Sequence, residues 1–579
     1  WQQARSDSFL SDLHGRDNRT KARALIDAQG KIHALAVTLH ANMGSWLSNF
    51  STYVPTLSGS RTLTTVYAIP TASLRVLGVM TNTPAVDAYR GAGRPEAIYC
   101  IERLVDKCAR ELGLAPDELR RRNFIASSEM PFDRHMTALE SDVILDSGDY
   151  EGLLGKAAEF CGLDALRAEA AERRAKGECV GVGLGYFVEK SGLGPSELVR
   201  LTVHPDGGIE IVTGAASLGQ GMETAVAQIA ADTLGADYQA CRVIHGDTDR
   251  ISHGWGAHAS RVTVMTGAAT RRAAETVRAK ACEMAASLLD CTPDAIDIDG
   301  GIATCRTSGS SVTLAEIAAA LDPVSPKRGD RDPGLAAEAW YHNKHMNYPY
   351  GAHVALVIID RDTGHVRLDR YWITYDVGRA INPAMIEGQI VGGLAQGLGG
   401  ALLEEFRFDD QGQPLSVTFA DYLMPTSAEM PDCRVQILQD APSPLNPLGI
   451  KGSGEAGVTG AGAAIACAID DALQRPGLVT RLPVTPQYLR ARIAEYDAAN
   501  ASLEAKKSAK EDPPPPPPPM RAPASTGPVL PLATPPAPGE AGPSMTDWAL
   551  QAAQKREELK RKALEAIEAA DDVKRQKAE

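Results

Sequence analysis

Apolar and polar positions alternate with period two along I-H-A-L-A-V-T-L-H at 32–40 and L-R-V-L-G-V-M-T at 74–81, which predicts two strands early in the chain. Helical spacing takes over at 95–112 and again near 116–121. Farther on, strands are predicted at 199–204, 208–213, 352–360 and 365–375, and helices at 222–234, 264–288 and 464–474. The D-G-G of 206–208 and the D-T-G-H of 362–365 fall between neighbouring strands, where hairpin turns belong. Hairpins interleaved with long helices predict α+β layers rather than a doubly wound sheet.

These patterns divide the chain into an expected first domain at 1–126 and a second at 150–497. The composition then shifts: seven prolines run from Pro513 to Pro519, and 501–545 reads as a stiff, extended, disordered linker with no apolar mass for a core. The last segment, 546–579, reads as a charged C-terminal helix with a cap at Thr546 and a weak stripe through Trp548, Ala552, Leu559, Ala563 and Ile567. A helix that docks a partner and a solvated helix that frays alone both fit this stripe. The chain opens at Trp1 in domain-like sequence, so a missing N-terminal part is expected.

Composition narrows the function classes. A formal charge of −14 over 579 residues disfavours a nucleic-acid partner. None of the ten cysteines forms C-x-x-C or another tight ligand group, so neither a structural zinc nor an iron–sulfur centre is expected in this chain, and free thiols in a cytoplasmic protein are. No apolar run is expected to span a bilayer; the best, A-L-V-I-I at 355–359, reads as a strand.

The chemistry concentrates in glycine-dense loops. P-L-G-I-K-G-S-G-E-A-G at 447–457 sets Glu455 among Gly452, Gly454 and Gly457, glycines that let backbone approach a flat ligand, ahead of a helix expected over 458–473. Its G-S-G-E-A-G also satisfies G-x-G-x-x-G. The preceding Pro442, Pro444 and Pro447 exclude the central strand a nicotinamide fingerprint needs, and no acidic strand end follows. D-A-Y-R-G-A-G-R-P-E-A at 87–97 places Arg90 and Arg94 around Gly91 and Gly93, where a guanidinium fork and bare amides could clasp an oxyanion. S-L-G-Q-G-M-E-T at 217–224 sets Gln220 between Gly219 and Gly221. The H-G-D-T-D of 245–249 leads into H-G-W-G-A-H-A-S-R at 253–261, where Ala259 and Ser260 permit close backbone approach. Finally, 382–397 offers Gln389 and Gln396 on a surface of small residues. Taken singly, each loop reads as a tight turn with a satisfied polar residue. Together, five such loops suit a large cofactor with many hydrogen-bonding edges and a pyrophosphate. His342 and His345 form H-x-x-H without a third ligand, which points to ordinary histidines rather than a zinc site.

In this order the loops resemble the molybdopterin-binding large subunit of the xanthine dehydrogenase and aerobic carbon monoxide dehydrogenase family, over residues 1 to about 490. A-Y-R-G-A-G-R-P-E-A, with its form-II-like active-site loop, E-L-R-R-R-N-F-I, L-G-Q-G-M-E-T, V-G-R-A-I-N-P, E-G-Q-I-V-G-G-L-A-Q-G and K-G-S-G-E-A-G carry the resemblance. It implies two molybdopterin-binding domains of mixed sheets and helices, the first N-terminally incomplete. It implies Glu455 as catalytic base beside molybdenum, Arg90 and Gly91 on the active-site loop, and Gly219, Gln220, Gly221, Ala259, Ser260, Gln389, Gly452 and Gly454 around the pterin, often as its cytosine dinucleotide. The metal would hang on the pterin dithiolene, without protein ligands. A base in a partly apolar loop would have its proton affinity raised by desolvation. The implied activity is hydroxylation of an aldehyde or N-heteroaromatic compound with water as oxygen source, in a dimer of heterotrimers with a 2Fe-2S small subunit and an FAD-binding medium subunit.

The sequence departs from the family pattern in two respects, its upstream segments and its active-site loop. The family's upstream G-G-x-F-G-x-K loop and its glutamine-bearing G-Q-E-like segment are absent. Carbon monoxide dehydrogenases carry cysteine where Gly91 stands, and purine-oxidising relatives carry phenylalanine where Ala92 stands. The alternative classes are a noncatalytic assembly or binding component derived from this family and, more remotely, a carbon monoxide dehydrogenase or a nicotinamide-dependent oxidoreductase.

Overall fold

Strand Val180–Val188, V-G-V-G-L-G-Y-F-V, is buried along its whole length. Its glycines recur every second residue and therefore share one face. On that face a Cβ at Gly181 or Gly183 would collide with the carbonyls of Ala468 and Ala464, and one at Gly185 would lie 2.8 Å from Gly460 O. Helix Ala461–Leu473 thus rests directly on strand backbone, presenting Ala464, Ala468 and Ala472. The other face, with Val182, Leu184 and Tyr186, packs into a separate core. The sequence expectation omitted this strand, because dense glycine ordinarily marks turns.

In this computed structural model, residues 1–138 and 141–511 are described. Val180–Val188 edges a four-stranded sheet in the order Asp432–Leu438, Val366–Asp376, Tyr350–Ile359, Val180–Val188, parallel at the first pair and antiparallel at the other two. A second sheet runs Leu335–His342, Ser196–Val203, Ile209–Thr213, Cys241–His245, again with one parallel pair, at its last step. Helices Met222–Leu234 and Gly267–Leu288 cover it with alanine-rich faces that include Ala230, Ala269, Ala273 and Ala281. A three-stranded sheet of Asn18–Ile26, Ile32–Gly44 and Thr71–Met80 lies in the first part of the chain. There helix Arg94–Glu111 turns Ile98, Ile101 and Val105 inward.

One core contains Ile32, Leu35 and Val105 together with Val182 and Tyr348, so apolar packing is continuous between the two expected domains. A buried ion pair joins them too: Arg120 Nη2 lies 2.8 Å from Glu102, whose carboxylate accepts the Tyr186 N–H at 2.7 Å, while Arg120 donates to Leu184 O at 3.2 Å. Residues 1–505 form one compact unit.

The α+β layering expected from the sequence is present, and both predicted hairpins form. Several boundaries differ. The helix expected over 458–473 is two pieces, Ala456–Thr459 and Ala461–Leu473, meeting at Gly460. The 264–288 helix is preceded by a π-helical turn at Val262–Thr266. Contrary to the expectation that no run is long enough, the window Ala456–Leu473 is apolar and long enough to cross a membrane, but 89% of it is buried inside the protein, as a core helix is. Helix Pro486–Glu511 continues through the start of the stretch read as linker, since 501–511 holds strong helix formers and no proline. The rest of the proline-rich stretch and the C-terminal helix lie outside the described residues. All ten cysteines are free; four are buried and six partly exposed.

Candidate functional site

The five glycine-dense segments meet at one cavity of about 680 Å³. The fifth, 382–397, is not the loop expected from its glycines but helix Pro383–Leu402, capped by Asn382, whose glycines give it a thin face. Glu455, Arg90, Gly219, Gln220, Gly221, Ala259, Ser260, Gln389, Gly452 and Gly454 all line it. Gly91 does not; it lies just behind the wall, with its N–H donated to Glu455 Oε1 at 2.9 Å. The H-G-D-T-D segment does not line the cavity, and His342 ends a strand with its ring stacked near Trp340.

Glu455 occupies the N-cap of the short Ala456–Thr459 turn and is almost wholly buried. Its Oε1 also faces Arg94 Nη2 at 2.6 Å, and Oε2 accepts from Ser260 Oγ at 2.9 Å. The partly apolar setting expected for this carboxylate is therefore replaced by a buried cation and two hydrogen-bond donors. Arg94, itself 1% exposed, reaches a second carboxylate through Nε, 2.7 Å from Glu189 Oε1. Neither Arg94 nitrogen points its N–H squarely at the oxygen, so both contacts are ionic rather than well-formed hydrogen bonds. Glu189 is fully buried; burial, and then Glu455, push its proton affinity up against the opposing pull of Arg94. Thr459 Oγ1 donates to Glu189 Oε2 at 2.8 Å. Next to it, burial and then Arg94 bring Lys190 down to about 7, and its Nζ donates to Tyr53 OH at 3.4 Å.

Arg90 plays a part different from the anion clasp expected of it. Nε donates to Gly454 O at 2.7 Å, Nη1 to Gln396 Oε1 at 3.3 Å, and Nη2 to both the carbonyl and Oε1 of Gln389 at 3.1 Å. Its fork is spent fastening the 87–94 loop to helix Pro383–Leu402 and to the Glu455 loop. Gln220 is likewise satisfied within its own loop, accepting from Leu218 N and donating to Ala216 O at 3.3 Å. Gly457 faces Ile390 and Gly393 of the neighbouring helix rather than the cavity.

Ala259 and Ser260 adopt φ of 47° and 49°, a left-handed pair that costs about 1–3 kcal/mol per residue unless the surroundings enforce it. Arg261 enforces it. Fully buried, it contacts Glu197 at 2.5 Å and donates to Leu193 O at 2.7 Å, Ser196 O at 3.0 Å and Gly256 O at 3.1 Å. The N–H groups of Ala259, Ser260 and Gly454 meet no acceptor among the described residues. They line the cavity as free donors, the chemistry an anionic, many-edged ligand requires. No group of three or more His, Cys, Asp or Glu side chains among the described residues is arranged to hold a metal ion.

Glu189, Lys190, Tyr53 and Arg261 carried no mark in the sequence pattern. Glu189 and Lys190 have one signal, E-K-S-G at 189–192, two charged residues directly after a continuous apolar strand; Tyr53 and Arg261 have none. Charges in that position are buried or paired far more often than a loop reading suggests.

Models described as molybdopterin cofactor-binding domain match residues 1–124 and 156–431. The 6-hydroxypseudooxynicotine dehydrogenase complex subunit gamma of Paenarthrobacter nicotinovorans is 37% identical over 492 residues, 85% of this chain and 62% of that protein. The carbon monoxide dehydrogenase large chain of Hydrogenophaga pseudoflava is 33% identical over 83% of this chain and 61% of its own length. Among solved structures, quinoline 2-oxidoreductase from Pseudomonas putida 86 matches with a TM-score of 0.79 at 33% identity, covering 86% of this chain and 64% of that one. The chain spans about three fifths of the length of the curated relatives it matches.

Proposed function

Since this chain belongs to the family of molybdopterin-binding large subunits that includes xanthine dehydrogenase and carbon monoxide dehydrogenase, we propose that it forms the cofactor cavity and supplies the base of a cytoplasmic molybdenum hydroxylase acting on an aldehyde or N-heteroaromatic substrate. Its partners would be a 2Fe-2S small subunit and an FAD-binding medium subunit, in a dimer of heterotrimers. The observation that carries this reading is the meeting of five distant glycine-dense segments on one cavity with a single carboxylate among the described residues, Glu455, set in its wall.

The residues present fit a molybdopterin, and the form we propose is its cytosine dinucleotide. The free N–H groups of Ala259, Ser260 and Gly454 and the cation of Arg379 suit its phosphates and pterin edges, with Gly219, Gln220, Gly221, Gln389 and Gly452 completing the cradle. When bound, this group supplies two-electron oxidation with water as the oxygen source. Glu455 receives the proton. Gly91 N–H and Arg94 occupy Oε1, whereas Oε2 meets only the rotatable hydroxyl of Ser260 among the described residues, so the proton is taken at Oε2. Arg90 keeps the carboxylate loop in register with the helix that carries Gln389.

Two positions favour an organic substrate over carbon monoxide or xanthine. Gly91 has φ of 97°, and a Cβ there would lie 2.5 Å from Pro95 Cγ, so the cysteine of carbon monoxide dehydrogenases does not fit this loop as it stands. Ala92 puts no ring into the cavity for a purine to stack on.

The test is Glu455→Gln in the assembled enzyme. Molybdenum and pterin content should match the unaltered complex, while turnover of an aldehyde and azaarene panel with an artificial electron acceptor should fall by about 10²–10⁴-fold, the range of a lost general base. Unchanged turnover contradicts the role of Glu455. A complex devoid of molybdenum favours the assembly component instead.

A further inference from the structure

A buried arginine that touches two carboxylates cannot neutralise both. Arg94 stands between Glu455 at 2.6 Å and Glu189 at 2.7 Å, and all three are shielded from water. We propose that Glu189 is a positioning residue that sets the basicity of Glu455 by competing with it for the guanidinium of Arg94. This rests on the reading of Glu455 as the base.

The charge arithmetic carries the argument. With both carboxylates ionised the trio bears one net negative charge, and the first proton makes it neutral. Glu189, whose affinity burial and then Glu455 raise, competes for that proton, but only Glu455 lines the cavity where the proton is released, and when Glu455 takes it Arg94 remains paired to Glu189. Were Glu189 neutral, the trio would start neutral and end with a buried guanidinium lacking a counter-ion, a costly state that would oppose proton uptake. Glu189 therefore keeps Glu455 a stronger base than a carboxylate with an arginine to itself.

The other groups around the trio are accounted for. From the 87–94 loop, Gly91 N–H bonds Glu455; Arg90 gives its donors to the neutral groups of Gly454, Gln389 and Gln396 and so keeps its charge, which acts on Glu455 and, more weakly, on Glu189 from a distance. From the 253–261 loop, Ser260 bonds Glu455, Arg261 is paired with Glu197, and His258, which Glu455 acts on from a distance, is held below 6.5 by burial and then by Arg261. From the core strands, Tyr375 donates to Gly452 O at 2.7 Å, and His353 is bonded between Tyr371 and Ala456. Thr459 donates to Glu189. Lys190 is a further cation close behind Glu189; its ammonium is turned to Tyr53, and Arg61 acts on it from a distance. None of these supplies a second cation in contact with Glu455, so Arg94 is the charge the two acids divide.

The sign follows. Glu455 must be ionised to act, so activity rises with pH through its titration, and a weaker base moves that acid limb to lower pH. Glu189→Gln in the assembled, molybdenum-loaded enzyme should move the acid limb of kcat/KM down by about one pH unit and lower kcat several-fold, on the scale at which an opposite charge within contact distance acts. Glu189→Asp, which restores the charge, should bring the limb back toward its original position. A structural role alone would lower turnover in both variants without moving the limb, and a stationary limb in loaded Glu189→Gln overturns the proposal. Should Glu189→Gln fail to load, infrared titration of the carboxyl band that Glu455→Gln abolishes reads the same shift without turnover, in Thr459→Val, where Glu189 loses the hydrogen bond favouring its ionised form; no shift there overturns it as well. If Glu455→Gln keeps full turnover, the assignment of the base fails instead, so the two failures are distinct.

Discussion

At the scale of single residues, Glu455 was legible because an acid between glycines is chemically conspicuous, and Ser260 because small residues clustered beside histidines. Arg90 was legible as a site residue but not in its role: the sequence shows a guanidinium, and only the fold shows that Gly454, Gln389 and Gln396 consume its donors. His353 was illegible, a polar letter inside an apolar strand. It is fully buried, with Nε2–H donating to Ala456 O at 3.2 Å and Nδ1 accepting from Tyr371 OH at 2.9 Å, so the neutral ring fastens the turn that carries Glu455. Burial lowers it from 6.5 to about 3. The unfolded chain therefore binds a proton that the native chain refuses. This contribution to stability is whole above pH 6.5 and declines as pH falls toward 3, by about 1.4 kcal/mol per pH unit within the window. Denaturant midpoints of the assembled enzyme should fall between pH 6.5 and 5, and His353→Gln should show a shallower fall over the same interval.

At the scale of elements, the strands and helices with clear periodicity were legible, and the glycine-rich ones were not. Val180–Val188 shows why: an alternation whose polar half is replaced by glycine looks like a loop, yet it makes a flat face on which a helix can lie backbone to backbone. Gly183→Ala puts a methyl group against the Ala464 carbonyl, where no flexible side chain can yield. The expected cost is about 3 kcal/mol, the upper end for overpacking, read as a lowered unfolding midpoint or as failure of the complex to assemble. A substitution on the other face, Val182→Ile, meets side chains that can repack and should cost less.

At the scale of the molecule, the α+β architecture and the convergence of the loops could be read in advance, because each loop announced itself by composition. The continuity of the core between 1–126 and 150–497 could not, since it depends on Ile32, Val105 and Val182 meeting across long separations in sequence. Every described residue that lines the cavity precedes Ala456 in the chain. Ending the chain after Glu511 should therefore leave molybdenum content and turnover of the assembled enzyme unchanged; loss of either would give 512–579 a part in the site. The glycine-lined seat of helix Ala461–Leu473 has one more consequence. Glu455 caps the short turn that runs into that helix at Gly460, so main-chain contacts position it, whereas Phe50, Leu193 and Leu218 border the same chamber from other segments. Under the function proposed above, exchanging those three would retune which molecules are admitted while Glu455 stays put, so chemistry and diet would be free to vary independently.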